Sequence, residues 1–198
     1  ILPNIAANLG ATLFEAESVQ SSYLIAEALA ILVSAMMLKS LGSSTVYIIA
    51  AVLFALTSLF CGLSESLSEL VIFRFLQGFS GGLIIPAGFH VVYTEFKGQE
   101  KNAALSLLGM VTVISPTVGP KVGSIMADEV GWQWAFYINL IPMGLTIAVT
   151  VFRVGLSKLD FSSFREFNYI QFLNMFLFIV LIEYCFKYGF LVDWFNDL

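Results

Sequence analysis

The sequence predicts an all-α fold, a polytopic bundle of transmembrane helices, and three observations carry that prediction. Of 198 residues, 59% are hydrophobic and only 12% are charged, whereas a soluble domain carries about 25% charged residues. The mean hydropathy is +0.90. The apolar residues fall in runs of about 20, the length a helix needs to cross the hydrocarbon core. A segment in lipid must satisfy its own backbone hydrogen bonds, so each run is read as a helix. Nineteen Phe suit lipid-facing surfaces better than a water-facing shell.

Taken in order, residues 1–8 are too short to span a bilayer and read as the tail end of a helix that starts upstream. There is no initiating Met, no basic n-region and no cleavage signature, so this is not a signal peptide and the chain is expected to be a fragment. Six apolar runs follow, at roughly 18–38, 46–63, 69–91, 103–127, 134–154 and 169–188. Short polar connectors separate them: Gly10 to Glu17, Lys39 to Thr45, Ser64 to Ser68, Thr94 to Asn102, Asp128 to Gln133 and Gly155 to Asn168. Residues 1–154 are expected to form one helix bundle. Residues 155–198 would hold a cytoplasmic loop, one further span and a short outer tail.

Lys and Arg set the orientation. Lys39, Lys97, Lys101, Arg153, Lys158 and Arg165 fall on one side and Lys187 on the other, while Arg74 and Lys121 lie within spans. The bias places the first group in the cytoplasm. Trp132, Trp134 and Trp194 then fall at outer ends of spans, where amphipathic rings prefer the interface.

Ionised groups within the membrane are costly and need a partner or a water-filled cavity. Glu27 lies mid-span and shares a helix face with Gln20 and Ser34, each seven residues apart. It reads either as a proton or cation site or as a structural partner for a neighbouring charge. Arg74 lies in the outer part of its helix, with Glu27 about 6 Å deeper. It could bridge to Glu27 or snorkel to the outer interface. Lys121, in the outer third of its helix, is expected to snorkel or else to need a partner or cavity of its own, Glu183 is expected to reach the interface, and His90, the only His, is an interfacial residue or a group titrating near neutral pH.

Small residues recur at helical spacing: Gly78, Gly81 and Gly82 before Pro86 in one run, and Gly109, Pro116, Gly119, Pro120 and Gly123 in the next. Glycines three and four apart let membrane helices approach closely. Pro116 and Pro120 each remove a backbone donor and are expected to bend their helix.

Other classes find little support. Cys61 and Cys185 lie in apolar runs and suggest neither a disulfide framework nor a metal site. A net charge of −5 with no basic patch argues against nucleic acid. One His, no Ser–His–Asp arrangement, no metal-ligand cluster and no phosphate loop argue against an enzyme.

Several segments together resemble the major facilitator superfamily, specifically its fourteen-span drug:proton antiporters of the EmrB/QacA type. Leu2-Pro3-Asn4-Ile5-Ala6 is similar to the end of that family's first helix. Leu70-Val71-Ile72-Phe73-Arg74-Phe75-Leu76-Gln77-Gly78 resembles its fourth-helix motif, and Pro116-Thr117-Val118-Gly119-Pro120-Lys121-Val122-Gly123 its antiporter motif in the fifth. Gly131-Trp132-Gln133-Trp134-Ala135-Phe136-Tyr137-Ile138-Asn139 resembles the start of the sixth, and Asp193-Trp194-Phe195 the segment after the seventh.

The resemblance implies proton-coupled export of small amphiphilic compounds from a cytoplasmic (inner) membrane by alternating access, energised by the proton gradient without a cofactor. It implies that Arg74, with Gln77 beside it in the fourth-helix motif, takes part in proton coupling and that Gly119, Pro120 and Gly123 shape the bend of the antiporter helix, with Pro116; the residues themselves mark Glu27 as the carboxylate expected to exchange protons and Gly78, Gly81 and Gly82 as helix-packing positions. A periplasmic adaptor or a missing C-terminal half are the partners it suggests, besides the lipid bilayer and protons. The sequence departs from the pattern in the cytoplasmic loop, where Ala35 replaces a Gly, Lys39 stands at the Asp position, Ser40, Ser43 and Ser44 replace basic residues, and only Gly42 is kept. Ser124 replaces a Gly, Lys121 adds a charge, and Asn139-Leu140-Ile141-Pro142-Met143-Gly144 is one residue longer than usual. The alternative expectation is a truncated, inactive or assembly-dependent half-transporter.

Overall fold

A computed structural model describes residues 1–155 and 169–189. The chain forms α1 (Leu2–Leu9), α2 (Leu13–Leu41), α3 (Ser43–Leu63), α4 (Leu67–Glu95), α5 (Gly98–Glu129), α6 (Trp134–Tyr137), α7 (Leu140–Arg153) and α8 (Tyr169–Gly189). This is the all-α transmembrane bundle read from the sequence, with no strand among the described residues. Five stretches are long and apolar enough to cross a membrane, α6 and α7 counting together as one, and α8 carries a shorter apolar stretch, Phe172–Cys185. Many large side chains point outward, Phe152 at 86% exposure and Ile141 at 79%. A surface this apolar calls for lipid around it.

Helix α2 is the pivot, lying parallel to α4, with α3 antiparallel to α4. Ala30 and Val33 of α2, Val46 and Ala50 of α3, and Leu83 and Ala87 of α4 form one core cluster. A second cluster at the other end joins Ile5, Val19, Cys61, Leu70, Ala127, Trp132 and Phe136. Several hydroxyls within the spans donate to the backbone of the preceding turn: Ser34 to Ile31 O at 2.7 Å, Thr57 to Leu53 O at 2.7 Å and Ser80 to Gln77 O at 2.9 Å.

The helices extend beyond the apolar runs. The expected connector Gly10 to Glu17 shrinks because Thr12 opens α2 as a capping box: its hydroxyl accepts from Glu15 N at 3.2 Å, and the Glu15 carboxylate accepts from Thr12 N at 2.9 Å. The expected connector Lys39 to Thr45 reduces to Gly42, whose φ of +77° lets one residue turn α2 into α3. The run expected as one helix over 134–154 is broken at Ile138 and Asn139. Pro142 has no N–H to donate to Ile138 O, so the helical ladder restarts with Met143 N donating to Asn139 O at 3.1 Å. Trp134 is exposed, as an interfacial ring should be, but Trp132 is 2% exposed and sits edge-on against Phe136 in the outer cluster.

Lys39, Lys97, Lys101 and Arg153 lie at helix ends on one side of the bundle, in keeping with the charge bias. Lys158, Arg165, Trp194 and the segment Asp193-Trp194-Phe195 lie outside the described residues.

Candidate functional site

The approach of α2 and α4 sets the site. A Cβ added to Gly78 would overlap the Tyr23 carbonyl, and one added to Gly82 would overlap the Glu27 carbonyl. Arg74 Nε donates to Val19 O at 3.4 Å. All three pairs share one sequence offset, 55 residues, so the two helices run in parallel and in register for two turns. Only glycine permits backbone contact of this kind, which is the packing role expected of Gly78 and Gly82. Gly81 leaves room for the Tyr23 hydroxyl, with the Phe54 ring next to it.

Arg74 occupies the outer end of this interface. Its Nη1 donates to Gln77 Oε1 at 2.7 Å, and Gln77 Nε2 donates to Ser58 Oγ of α3 at 2.5 Å. Gln77 is 1% exposed, so its amide is spent on these contacts, with Cys61 Sγ 3.8 Å from Oε1. The guanidinium also lies 4.1 Å from the Tyr23 ring centre and 5.7 Å from that of Phe136. Arg74 and Gln77 together therefore tie α4 to α2, α3 and α6 through polar and cation–π contacts.

This centre opens on a cavity of about 520 Å³ between α1, α2, α3, α4, α5 and α6. Tyr23, Phe54 and Phe136 form aromatic walls, Gln20 and Asn139 add neutral amides, and Gly119 and Pro120 bring the backbone of α5 to the edge. The volume falls in the range of small-molecule sites.

The Arg74–Glu27 bridge is not formed. The register puts Arg74 beside Val19 and Glu27 beside Gly82, about 12 Å deeper rather than about 6 Å. Among the described residues, no ion pair joins the two. Glu27 is half-buried and lies off the cavity lining. Snorkelling does not describe Arg74 either, since its donors turn into the bundle.

The remaining expected residues are scattered. Helix α5 runs unbroken through Pro116 and Pro120, whose surroundings are open, and Gly123 meets Ile1. Lys121, Lys39 and His90 are exposed and Glu183 is partly buried. No group of three or more His, Cys, Asp or Glu able to hold a metal occurs among the described residues. Sequence reasoning missed Tyr23, Ser58 and Phe136. Tyr23 was within reach of it, since its place one turn before Glu27 puts both on the face that meets Gly78 and Gly82. Ser58 and Phe136 required the fold.

The profile of the Major Facilitator Superfamily matches residues 1–192. The colistin resistance protein EmrB of Acinetobacter baumannii is 32% identical over 197 residues, 99% of this chain and 38% of that protein. The multidrug export proteins EmrB of Haemophilus influenzae and Escherichia coli K12 are each 27% identical over 196 residues, again 99% of this chain and 38% of theirs. The chain thus spans about 38% of the length of these curated relatives.

Proposed function

The chain belongs to the Major Facilitator Superfamily, and from that premise we propose that it is part of a proton-coupled exporter of small amphiphilic compounds, working by alternating access in a cytoplasmic (inner) membrane. The observation that carries this reading is the cavity between six helices with Arg74 on its wall, held by Gln77 and Ser58. A site enclosed by several helices can close on one side and open on the other when they rock. The printed names of the relatives, export and resistance proteins, support the direction of transport.

In this mechanism the aromatic walls hold the apolar body of a substrate loosely, and Arg74 supplies a fixed charge whose interactions differ between the inward and outward states. Any ligand or proton with different affinity for those states shifts the balance between them. Glu27, two turns below Arg74 on α2, is the carboxylate proposed to exchange protons during the cycle. The other spans of the transport unit, or an adaptor, would cover the exposed face of α5. The alternative is a truncated, inactive or assembly-dependent half-transporter built around the same site.

The test is dye efflux from proteoliposomes with an imposed pH gradient. The protein is expected to drive efflux that collapses with the gradient. Glu27→Gln and Arg74→Ala should each reduce it by about tenfold or more. Normal pumping by both variants would remove these residues from the mechanism, and gradient-independent efflux would remove proton coupling.

A further inference from the structure

A second cavity, of about 280 Å³, lies at the cytoplasmic ends of α3, α4, α5 and α7, at the opposite end of α4 from Arg74. Its walls are aliphatic, aromatic or glycine apart from three hydroxyls, those of Tyr47, Thr112 and Thr150. Both threonines are satisfied within their own helices, Thr112 donating to Leu108 O at 2.8 Å and Thr150 to Thr146 O at 2.8 Å. Little is left to hold water or a polar solute. The space is open, and Thr112 on its wall is exposed. On so apolar a surface the medium it opens to is lipid. The groove has the depth of one leaflet. Thr112 stands eleven residues along α5 from Lys101, about 16 Å of helix, and half of a bilayer's hydrocarbon core is about 15 Å. Eleven residues is close to three full turns, so Lys101, Leu108 and Thr112 share one face of α5.

Two cations flank its cytoplasmic mouth. Lys101 Nζ lies 3.1 Å from the ring centre of Tyr93, one turn beyond Phe89 of the wall. Arg153 stands one turn beyond Thr150, at the end of α7. A ring face holds a cation without neutralising it, and neither Lys101 nor Arg153 has an ion pair among the described residues. Glu95 and Glu100, the nearest acids in sequence to Lys101, are exposed and bridge to neither cation. An apolar slot one leaflet deep beneath two unneutralised cations has the outline of a phospholipid, chain below and phosphate above. Anionic lipids are attracted to basic groups on this side of a membrane. We infer that the groove binds an anionic phospholipid of the cytoplasmic leaflet, one acyl chain between Ile85, Phe89 and Leu108 and its phosphate between Lys101 and Arg153. A zwitterionic lipid carries its own ammonium and gains less from the same pair. The site is separate from the Arg74 cavity and does not depend on export.

The test is native mass spectrometry of the purified protein, released from detergent micelles that contain phosphatidylglycerol and phosphatidylcholine of identical chains in equal amounts. Phosphatidylglycerol is expected to be retained about tenfold more than phosphatidylcholine, since each cation near the membrane surface contributes about fivefold. Lys101→Gln combined with Arg153→Gln should bring the two lipids level. Lys39→Gln removes a cation of the same side from α2, which does not line the groove, and should leave the preference intact. Excess soluble glycerol phosphate should displace nothing, because it has no chain to fill the slot. The inference is overturned if the unaltered protein retains the two lipids equally, a comparison that needs no variant to fold. It is also overturned if the double variant keeps the full preference, or if Lys39→Gln removes as much of it as the double variant does. Displacement by glycerol phosphate would assign the two cations to a free phosphate and overturn the lipid.

Discussion

Helix α4 carries Gly78 and Gly82, and α5 carries Gly119 and Gly123, two pairs at one spacing in opposite surroundings. The first pair lies against the backbone of α2, where an added Cβ would overlap carbonyl groups that cannot move without their helix. In the second pair, Gly119 has nothing within 4 Å of an added Cβ, and Gly123 meets only the Ile1 side chain. Every residue from Val111 to Lys121 is exposed. The α2–α4 contact is therefore a finished packing surface, while the α5 surface is open and rims the cavity. Small residues at helical spacing show that something can come close; whether anything has done so is decided by the neighbouring chain.

That contrast can be broken by substitution, and the largest effect is expected at Gly82. Gly82→Leu should leave little folded protein, because overpacking a close backbone contact costs about 1–3 kcal/mol and often more, as read by the yield of monodisperse protein in detergent. Gln77→Leu comes next. It strips Arg74 of an acceptor and Ser58 of a donor, with an expected cost of about 1–3 kcal/mol, measured as a shift in the denaturation midpoint. Thr12→Ala removes the capping hydroxyl of α2 and should cost about 1 kcal/mol, visible in the same titration. The smallest effect belongs to Gly119→Ala, within about 0.5 kcal/mol, while its efflux rate is free to change. Equal destabilisation by Gly119→Ala and Gly82→Leu would dissolve the distinction between the two surfaces.

Much of the fold could be read from residues alone, because in lipid the length of an apolar run and the position of Lys and Arg are direct physical constraints. Helix ends were less legible where apolarity was used as the guide: α2 starts at a Thr12–Glu15 capping box inside a stretch read as connector, and that signal was present in the sequence. The break before Leu140 was also there to read, in Pro142. The site was legible in part. Arg74 and Gln77 were marked out by their depth and by the family resemblance, but the partner of Arg74 was not, since periodicity along one helix says nothing about the register between two. A shift of eight residues along α2 separates Val19, which Arg74 meets, from Glu27, which it does not. Ser58 and Phe136 reach the centre only through tertiary packing, and no local pattern announces them.

The most direct test of the account asks whether the space beside Arg74 is a wet cavity inside a lipid-embedded bundle. In a background of Cys61→Ala and Cys185→Ser, single cysteines would replace Gln20 and Asn139 on the cavity wall and Ile141 on the outer surface, and each would be treated in membranes with a water-soluble maleimide. The account predicts that Gln20→Cys and Asn139→Cys are labelled and are protected by a bound amphiphile, while Ile141→Cys resists. Equal labelling of all three, or labelling of Ile141→Cys alone, would contradict it.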